Sequence, residues 1–402
     1  MRVALLTREF PPEIYGGAGV HVDQLAHALA PLVDVEVHCF GAPRDSPLVK
    51  ASYEPWSELS AIAGDDPIGS TLGVLSVDLA MTAGLAGAQL CHSHTWYANL
   101  AGHLAKMSRG IPHVATTHSL EPLRPWKAEQ LGGGYALSSW CERQGLEGAD
   151  AVIAVSRAMR DDVLRCYPSI EPDRVEVIYN GVDTTVWHRD GATDVLERYN
   201  LDPTRPIVAF VGRVTRQKGL SYLLAAAPQI DPAAQLVVCA GAADTEALAD
   251  EIRSLGDIAA KRRGGLVWIE EMLPPSQIAQ ILSHATCFVC PSIYEPFGLV
   301  NVEAMACGTA VVASAVGGIP EIVVEGETGL LVPVELDDTP ARIPRDPEGF
   351  AIAIAAAVNS LVDDPTRAQA MGEQGRQRVE DEFAWPAIAR RTLACYERLV
   401  PH

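Results

Sequence analysis

No apolar run in this 402-residue chain reaches the length of about eighteen residues that a membrane span needs. The opening Met1-Arg2-Val3-Ala4-Leu5-Leu6-Thr7 is too short for a secretory signal and carries no cleavage site, so it reads as a first buried strand. Both absences point to the cytoplasm. A disulfide framework is not expected either. The nine cysteines are odd in number and scattered, and most fall inside apolar runs, as Cys39, Cys239 and Cys287 do. Cys287-Phe288-Val289-Cys290 has the C-x-x-C redox spacing. On a strand, however, residues three apart point to opposite faces, so two small core residues are expected. Positive charge is scarce. A net charge of −20 argues against nucleic acid and against an anionic membrane as partners. No short-period repeat is evident.

What is present is the composition of a globular protein, with 48 % hydrophobic and 20 % charged residues. The length exceeds what one core usually supports, so two domains are expected. Short apolar runs alternate with helical patterns. Strands are expected at Val3–Thr7, Val35–Phe40, Leu90–His94, His113–Thr117, Ala151–Val155 and Val175–Tyr179. The pattern restarts with Ile207–Val211, Leu236–Ala240, Leu266–Ile269, Cys287–Cys290, Ala310–Ala313 and Gly329–Val332. In the helix from Val22, apolar residues recur at Val22, Leu25, Ala26 and Leu29, which is one helical face. Strands apolar on both faces, alternating with helices, imply parallel sheets covered on both sides. The expected fold class is therefore α/β, as two Rossmann-like doubly wound domains facing across a cleft. The boundary falls between Asn180-Gly181-Val182-Asp183 and Pro203, giving domains 1–185 and 200–384. The tail 385–402 is helical in pattern, with Ile388, Leu393 and Tyr396 inward, and is expected to pack back on the first domain. The stretch Val334–Pro347 reads as a surface loop.

Two segments carry most of the chemistry. Gly212-Arg213-Val214-Thr215-Arg216-Gln217-Lys218-Gly219 follows a buried strand and sets three cations within six residues between glycines. A guanidinium grips two phosphate oxygens at once and an ammonium adds a point charge, so Arg213 and Lys218 suit a diphosphate. The P-loop pattern is not met. Glu295-Pro296-Phe297-Gly298-Leu299-Val300-Asn301-Val302-Glu303 sets two carboxylates eight positions apart across a strand-to-helix corner. Gly298 permits the turn, Leu299 and Val300 open a helix whose free N–H groups face an anion, and Glu303 suits the hydroxyls of a ribose. Glu295 suits hydroxyls of a transferred sugar. Together the two segments suggest a nucleotide-sugar site.

Three further segments are informative. The loop Glu9 to Val20, with Gly16, Gly17 and Gly19 before a helix, lets backbone approach a phosphate. It is not a dinucleotide fingerprint, because that register needs glycine at Val22 and the second strand ends without an acid. His118 ends a strand at the carboxyl edge, where its ring can pack on a sugar. Cys91-His92-Ser93-His94 hints at metal, but adjacent strand residues face opposite ways and no partner motif follows, so none is expected. The loop from Ser119 through Arg124, Trp126 and Lys127 to Leu131 and Tyr135 combines aromatics, cations and glycines suited to a carbohydrate or an anionic acceptor.

As a set, Gly16-Gly17, His118, the Asn180–Asp183 turn, Arg213 with Lys218, and Glu295 with Glu303 resemble glycosyltransferase family 4, the retaining enzymes of GT-B fold. The likeness covers nearly the whole chain. Within that family, Thr7–His21, His92–Tyr97 and His118–Lys127 look like the short actinobacterial glycogen synthase group. The resemblance implies an ADP-glucose donor, retention at the anomeric carbon, and no cofactor or metal ion. It implies catalytic roles for His118, Arg213, Lys218 and Glu295. Donor contacts would fall to Gly16, Gly17, Gly298, Leu299, Val300 and Glu303, and acceptor contacts to Thr95, Tyr97, Arg124 and Lys127. The first domain would serve the acceptor and the second the nucleotide sugar. Other bacterial glycogen synthases open with a Lys-containing glycine loop where this chain has Tyr15–Gly19, and their His-Asp-Trp run is His94-Thr95-Trp96 here. Both departures lie on the acceptor side and favour a small acceptor. The expected reaction is glucosyl transfer from ADP-glucose to glucose 1-phosphate, forming maltose 1-phosphate for α-glucan assembly. Elongation of an α-glucan, 2-epimerisation of a nucleotide sugar and non-catalytic sensing are the alternatives, and a homodimer stays open.

Overall fold

The computed structural model describes residues 1–59, 68–124, 127, 132–263, 265–337, 339 and 342–400. The chain divides into two compact units, Met1–Gly181 with Trp385–His402, and Val182–Ala384. Among the described residues no helix is long and apolar enough to cross a membrane. All nine cysteines are free, and Cys287 and Cys290 are both buried in one strand.

Among the described residues the first unit has seven strands: β1 (Arg2–Thr7), β2 (Asp34–Phe40), β3 (Val49–Tyr53), β4 (Leu90–His94), β5 (His113–Thr117), β6 (Ala151–Ala154) and β7 (Val175–Val177). All pair in parallel, in the order β3-β2-β1-β4-β5-β6-β7. The period-two alternation of β1 shows why its run is apolar throughout. Val3 and Leu5 pack with Val22 and Leu25 of the helix Gly17–Leu29 and with Trp385, Ile388 and Tyr396 of the helix Trp385–Leu399. Ala4 and Leu6 face the other way, into Val77 and Met81 of Ile68–Gly84 and Ala101 and Ala105 of Trp96–Arg109. Both faces are thus covered, as a parallel sheet requires.

The second unit repeats the plan with β8 (Ile207–Val211), β9 (Gln235–Cys239), β10 (Leu266–Ile269), β11 (Cys287–Cys290), β12 (Ala310–Ser314) and β13 (Gly329–Val332), in the parallel order β10-β9-β8-β11-β12-β13. The stretch before Pro203 belongs to this unit. The Val195 N–H donates to Gln280 Oε1 at 2.7 Å and the Asp190 N–H to Ser283 Oγ at 2.9 Å.

Several local expectations need correction. The strand β3 has no counterpart in the sequence reading, because it is a half-exposed edge with Lys50 and Ser52 among its five residues. The first helix begins at Gly17 rather than Val22. Gly134 and Tyr135 open a helix, Gly134–Gly148, and Glu121–Leu123 forms a 3-10 turn where a continuous loop was expected. Pro347 is the first residue of the helix Pro347–Val362, whose N-cap Asp346 accepts from the Gly349 N–H at 2.8 Å. Trp126 and Leu131 of the expected acceptor loop, and residues 338 and 340–341 of the later loop, lie outside the described residues.

Candidate active site

In each sheet the strand order reverses once, between β1 and β4 and between β8 and β11. Loops leaving the carboxyl ends of such neighbouring strands diverge, and ligands of doubly wound sheets bind in the crevice they leave. The chemistry-bearing segments of the sequence fall at these two points.

In the second unit, β8 runs into the turn Arg216–Lys218, where Thr215 Oγ1 accepts the Lys218 N–H at 3.3 Å. Gly219 follows with φ +66°, and a Cβ there would lie 2.0 Å from the Pro291 carbonyl oxygen. Only glycine allows this approach. It brings the β8 loop against the β11 loop, and the Ile293 N–H donates to the Gln217 carbonyl at 2.9 Å. Across that seam Lys218 Nζ donates to Glu295 Oε2 at 2.6 Å, and Ser292 Oγ donates to the same oxygen at 3.2 Å. Burial is the largest single influence on the Lys218 pKa and pulls it down, but Glu295 and Cys290 together outweigh it and the net shift is upward. The ammonium therefore stays charged. Arg213 is exposed, and its charge acts on Lys218. Gly298, at φ +108°, turns the chain into the helix Leu299–Ala306, whose first N–H groups, on Leu299 and Val300, have no partner within the helix. Glu303 lies one turn on, and burial raises its pKa to about 7, against a smaller lowering by Lys218.

In the first unit, the Glu9 carboxylate after β1 accepts the N–H groups of Tyr15 and Gly16, each at 2.8 Å. Gly16 is the N-cap of the helix that begins with Gly17. The Gly16 N–H is therefore already occupied by a carboxylate, whereas Gly17 stands at the first helical position, where an N–H has no partner within the helix. Thr95 follows β4 with φ +63°, a strained value for a non-glycine residue. It caps the helix Trp96–Arg109, so Tyr97 stands in its first turn, with the Arg8 guanidinium 4.2 Å from its ring centroid. Arg124 donates to Ser119 Oγ at 2.9 Å, and its Nε is buried with no hydrogen-bond partner. The Lys127 N–H donates to the Arg124 carbonyl at 2.9 Å.

Histidines form the centre of this unit's switch point. His92 and His94 are two apart on β4 and share a face, with ring centroids 4.2 Å apart. His92 is fully engaged, with Tyr396 Oη and Thr116 Oγ1 each at 2.6 Å. His94 Nδ1 lies 3.1 Å from His118 Nε2. His21, from the first helix, stands 4.7 Å from the His118 ring and 5.3 Å from the His94 ring. Burial lowers the pKa of His21 to about 4 and holds His94 and His118 well below the ordinary value, so all three are neutral.

Each set of expected residues is thus gathered within its own unit: Arg213, Lys218, Glu295, Gly298, Leu299, Val300 and Glu303 in the second, and Gly16, Gly17, Thr95, Tyr97, His118, Arg124 and Lys127 in the first. Sequence reasoning gave no role to Arg8, Glu9, His21 or His94. Glu9 had a signal, an acid ahead of a glycine-rich loop. The histidine cluster had a partial one in His92-Ser93-His94, whose two rings share a face of β4, but His21 and His118 lie 73 and 24 positions from His94.

Two parallel α/β units with loop sites at their switch points define the GT-B class of sugar-transferring enzymes. The chain belongs to the family 4 glycosyltransferases: residues 15–186 match the family described as Glycosyltransferase Family 4, and residues 193–378 match Glycosyl transferases group 1. It is 55 % identical to the alpha-maltose-1-phosphate synthase of Mycolicibacterium smegmatis, over 99 % of this chain and 100 % of that one. It is 30 % identical to a glycogen synthase of Mycobacterium tuberculosis, over 98 % of this chain and 94 % of that one. Among solved structures it resembles the sucrose-phosphate synthase of Thermosynechococcus elongatus, with a TM-score of 0.77 and 28 % identity over 99 % of this chain and 98 % of that one.

Proposed function

We propose that this protein is a retaining glucosyltransferase that moves glucose from ADP-glucose to glucose 1-phosphate and forms α-maltose 1-phosphate. The observation that carries the reading is the full-length likeness to alpha-maltose-1-phosphate synthase, at 55 % identity against 30 % for glycogen synthase. The chemistry of the second unit supports a nucleotide-sugar donor. Arg213, Lys218 and the N-terminus of Leu299–Ala306 meet the charge of the departing diphosphate, and Glu303 takes the ribose hydroxyls. Glu295 orients the glucosyl ring while keeping Lys218 in position. His118 contacts the sugar as positive charge develops at its anomeric carbon.

The bond from the anomeric carbon to the diphosphate oxygen breaks, and a bond to the acceptor oxygen forms on the same face. The acceptor proton passes to the leaving diphosphate. None of the assigned residues is needed as a nucleophile on the opposite face. Trapping a glycosyl adduct on a carboxylate would overturn this route. The test of the reaction is incubation with ADP-glucose and glucose 1-phosphate, which should yield ADP and a phosphorylated disaccharide in equal amounts. Elongation of glycogen without the disaccharide would move the assignment to glycogen synthase.

A further inference from the structure

We propose that His21, His94 and His118 form a three-nitrogen site for a divalent transition ion, with Zn²⁺ the best fit, and that an ion bound there shuts the sugar site. One ring nitrogen from each of the three residues lies within 4.8 Å of the others. Around a tetrahedral zinc with Zn–N of about 2.1 Å, ligand nitrogens stand about 3.4 Å apart. The 3.1 Å between His94 Nδ1 and His118 Nε2 is already close to that value. The remaining closure falls to His21. That ring is 4 % exposed, neither of its nitrogens makes a hydrogen bond of good geometry, and its polar neighbour is Asn180, from which it turns to reach the ion. His94, 1 % exposed, also carries an unpartnered nitrogen, Nε2.

Buried polar atoms left unpaired cost free energy, and native proteins seldom keep several together unless something binds them. Here the unpartnered nitrogens are on His21 and His94, and His118, hydrogen-bonded to His94, completes a cluster drawn from three elements: the first helix, the end of β4 and the residue after β5. His92 closes the inner side without competing for the ion, since both its nitrogens are bonded elsewhere. The ligand set is all imidazole, which suits zinc, copper or nickel and disfavours magnesium and calcium. Three protein ligands leave the fourth position to water. The inhibitory consequence rests on the proposed contact of His118 with the sugar, because the ion takes that ring.

The full-length protein, freed of metal with a chelator, is titrated with Zn²⁺ by calorimetry and with Co²⁺ by visible absorption. One equivalent should bind, and cobalt should give the intense bands of four-coordinate geometry. His21→Ala should weaken binding by about 100-fold or more, whereas His27→Ala, an exposed histidine on the same helix, should leave it unchanged. Binding that is equally strong in His21→Ala, or a weak six-coordinate cobalt spectrum in the wild type, overturns the site. The cobalt spectrum decides the matter even if the variant fails to fold. No binding at all also overturns it and leaves sugar hydroxyls as the partners of these nitrogens. Stoichiometric zinc should suppress disaccharide formation, and a chelator should restore it. Tight four-coordinate binding with transfer unchanged upholds the site but overturns the inhibition, and removes His118 from the reaction.

Discussion

At the scale of single residues, the second unit holds its cation by an ion pair of 2.6 Å with little solvent around either partner. Such a pair contributes little net stability, but it keeps an ammonium charged and aimed where water would otherwise screen it. Lys218→Ala should therefore cut turnover by about 100-fold or more, the usual scale for losing one electrostatic stabiliser, with the ADP-glucose KM changing less. Near-normal turnover in steady-state kinetics would remove Lys218 from the reaction. Glu303 gives a pH signature. A ribose diol donates to a carboxylate, and this carboxyl becomes charged only as pH rises through about 7 in the free protein. The kcat/KM for ADP-glucose should accordingly fall on the acid side of that value. In Glu303→Gln, which cannot titrate, the limb should disappear and leave a lower, flatter profile. An acid limb that persists in the variant assigns the titration to another group.

At the scale of elements, legibility followed burial or an unbroken apolar run. The strands β4, β5, β8, β10, β11 and β13 were readable to the residue: β4, β5, β8 and β11 are almost wholly buried, and the half-buried edges β10 and β13 keep continuous apolar runs. The edge strand β3 was not, since exposed Lys50 and half-buried Ser52 break such a run. Gly17 reads in the sequence as part of a glycine loop ahead of the helix, yet it is the first helical residue, directly after the N-cap Gly16. The site divides in the same way. Residues within one loop were legible from their spacing. The Lys218–Glu295 contact spans 77 positions and is created by the seam at Gly219, which no local pattern announces. Gly219→Ala combines a positive φ with a Cβ driven into the Pro291 carbonyl, so it should lower the melting temperature and turnover together. Wild-type values for both would mean that the seam is not needed.

The helix Gly134–Gly148 shows how an element can carry a pH dependence. Its Glu142 accepts the Glu121 N–H at 2.9 Å and the Tyr167 hydroxyl, in a site that burial makes unfavourable for charge. Burial first, then the neighbouring Glu121, raises its pKa to about 8. The folded state thus binds this proton more tightly than the unfolded chain does. The resulting stability is complete below the unfolded value of about 4.3 and is lost as pH rises through about 8. Glu142→Gln keeps an acceptor and removes the titration. Its melting temperature relative to wild type should rise steadily between about pH 5 and pH 8. A difference independent of pH, in thermal melts across that range, would mean that Glu142 stays charged in the fold.

At the scale of the whole molecule, the chain enters the second unit at Val182 and leaves it at Ala384, and these two residues bridge each other. The tail beyond Ala384 returns to the first unit and completes it. The ring of Trp385 lies against Gly181, where a Cβ would stand 2.4 Å away. Ile388, Cys395 and Tyr396 are fully buried among Val3, Leu5 and Leu25, and Tyr396 Oη bonds His92 Nδ1 at 2.6 Å. Losing one large core side chain costs about 3–5 kcal/mol, so losing Trp385, Ile388 and Tyr396 together approaches the whole stability of a typical domain, about 5–15 kcal/mol. A chain ending at Ala384 should therefore unfold its first unit while the second, whose core uses none of these residues, keeps its own transition in calorimetry. Because the cations proposed to meet the diphosphate, Arg213 and Lys218, belong to the second unit, the truncated protein should still bind ADP in calorimetric titration and should form no disaccharide. A thermogram identical to that of the full chain would mean that the first unit is held by its remaining contacts alone. Loss of both transitions would mean that the two units fold only together, and the closing helix would then be a condition for the whole protein rather than for the unit it completes.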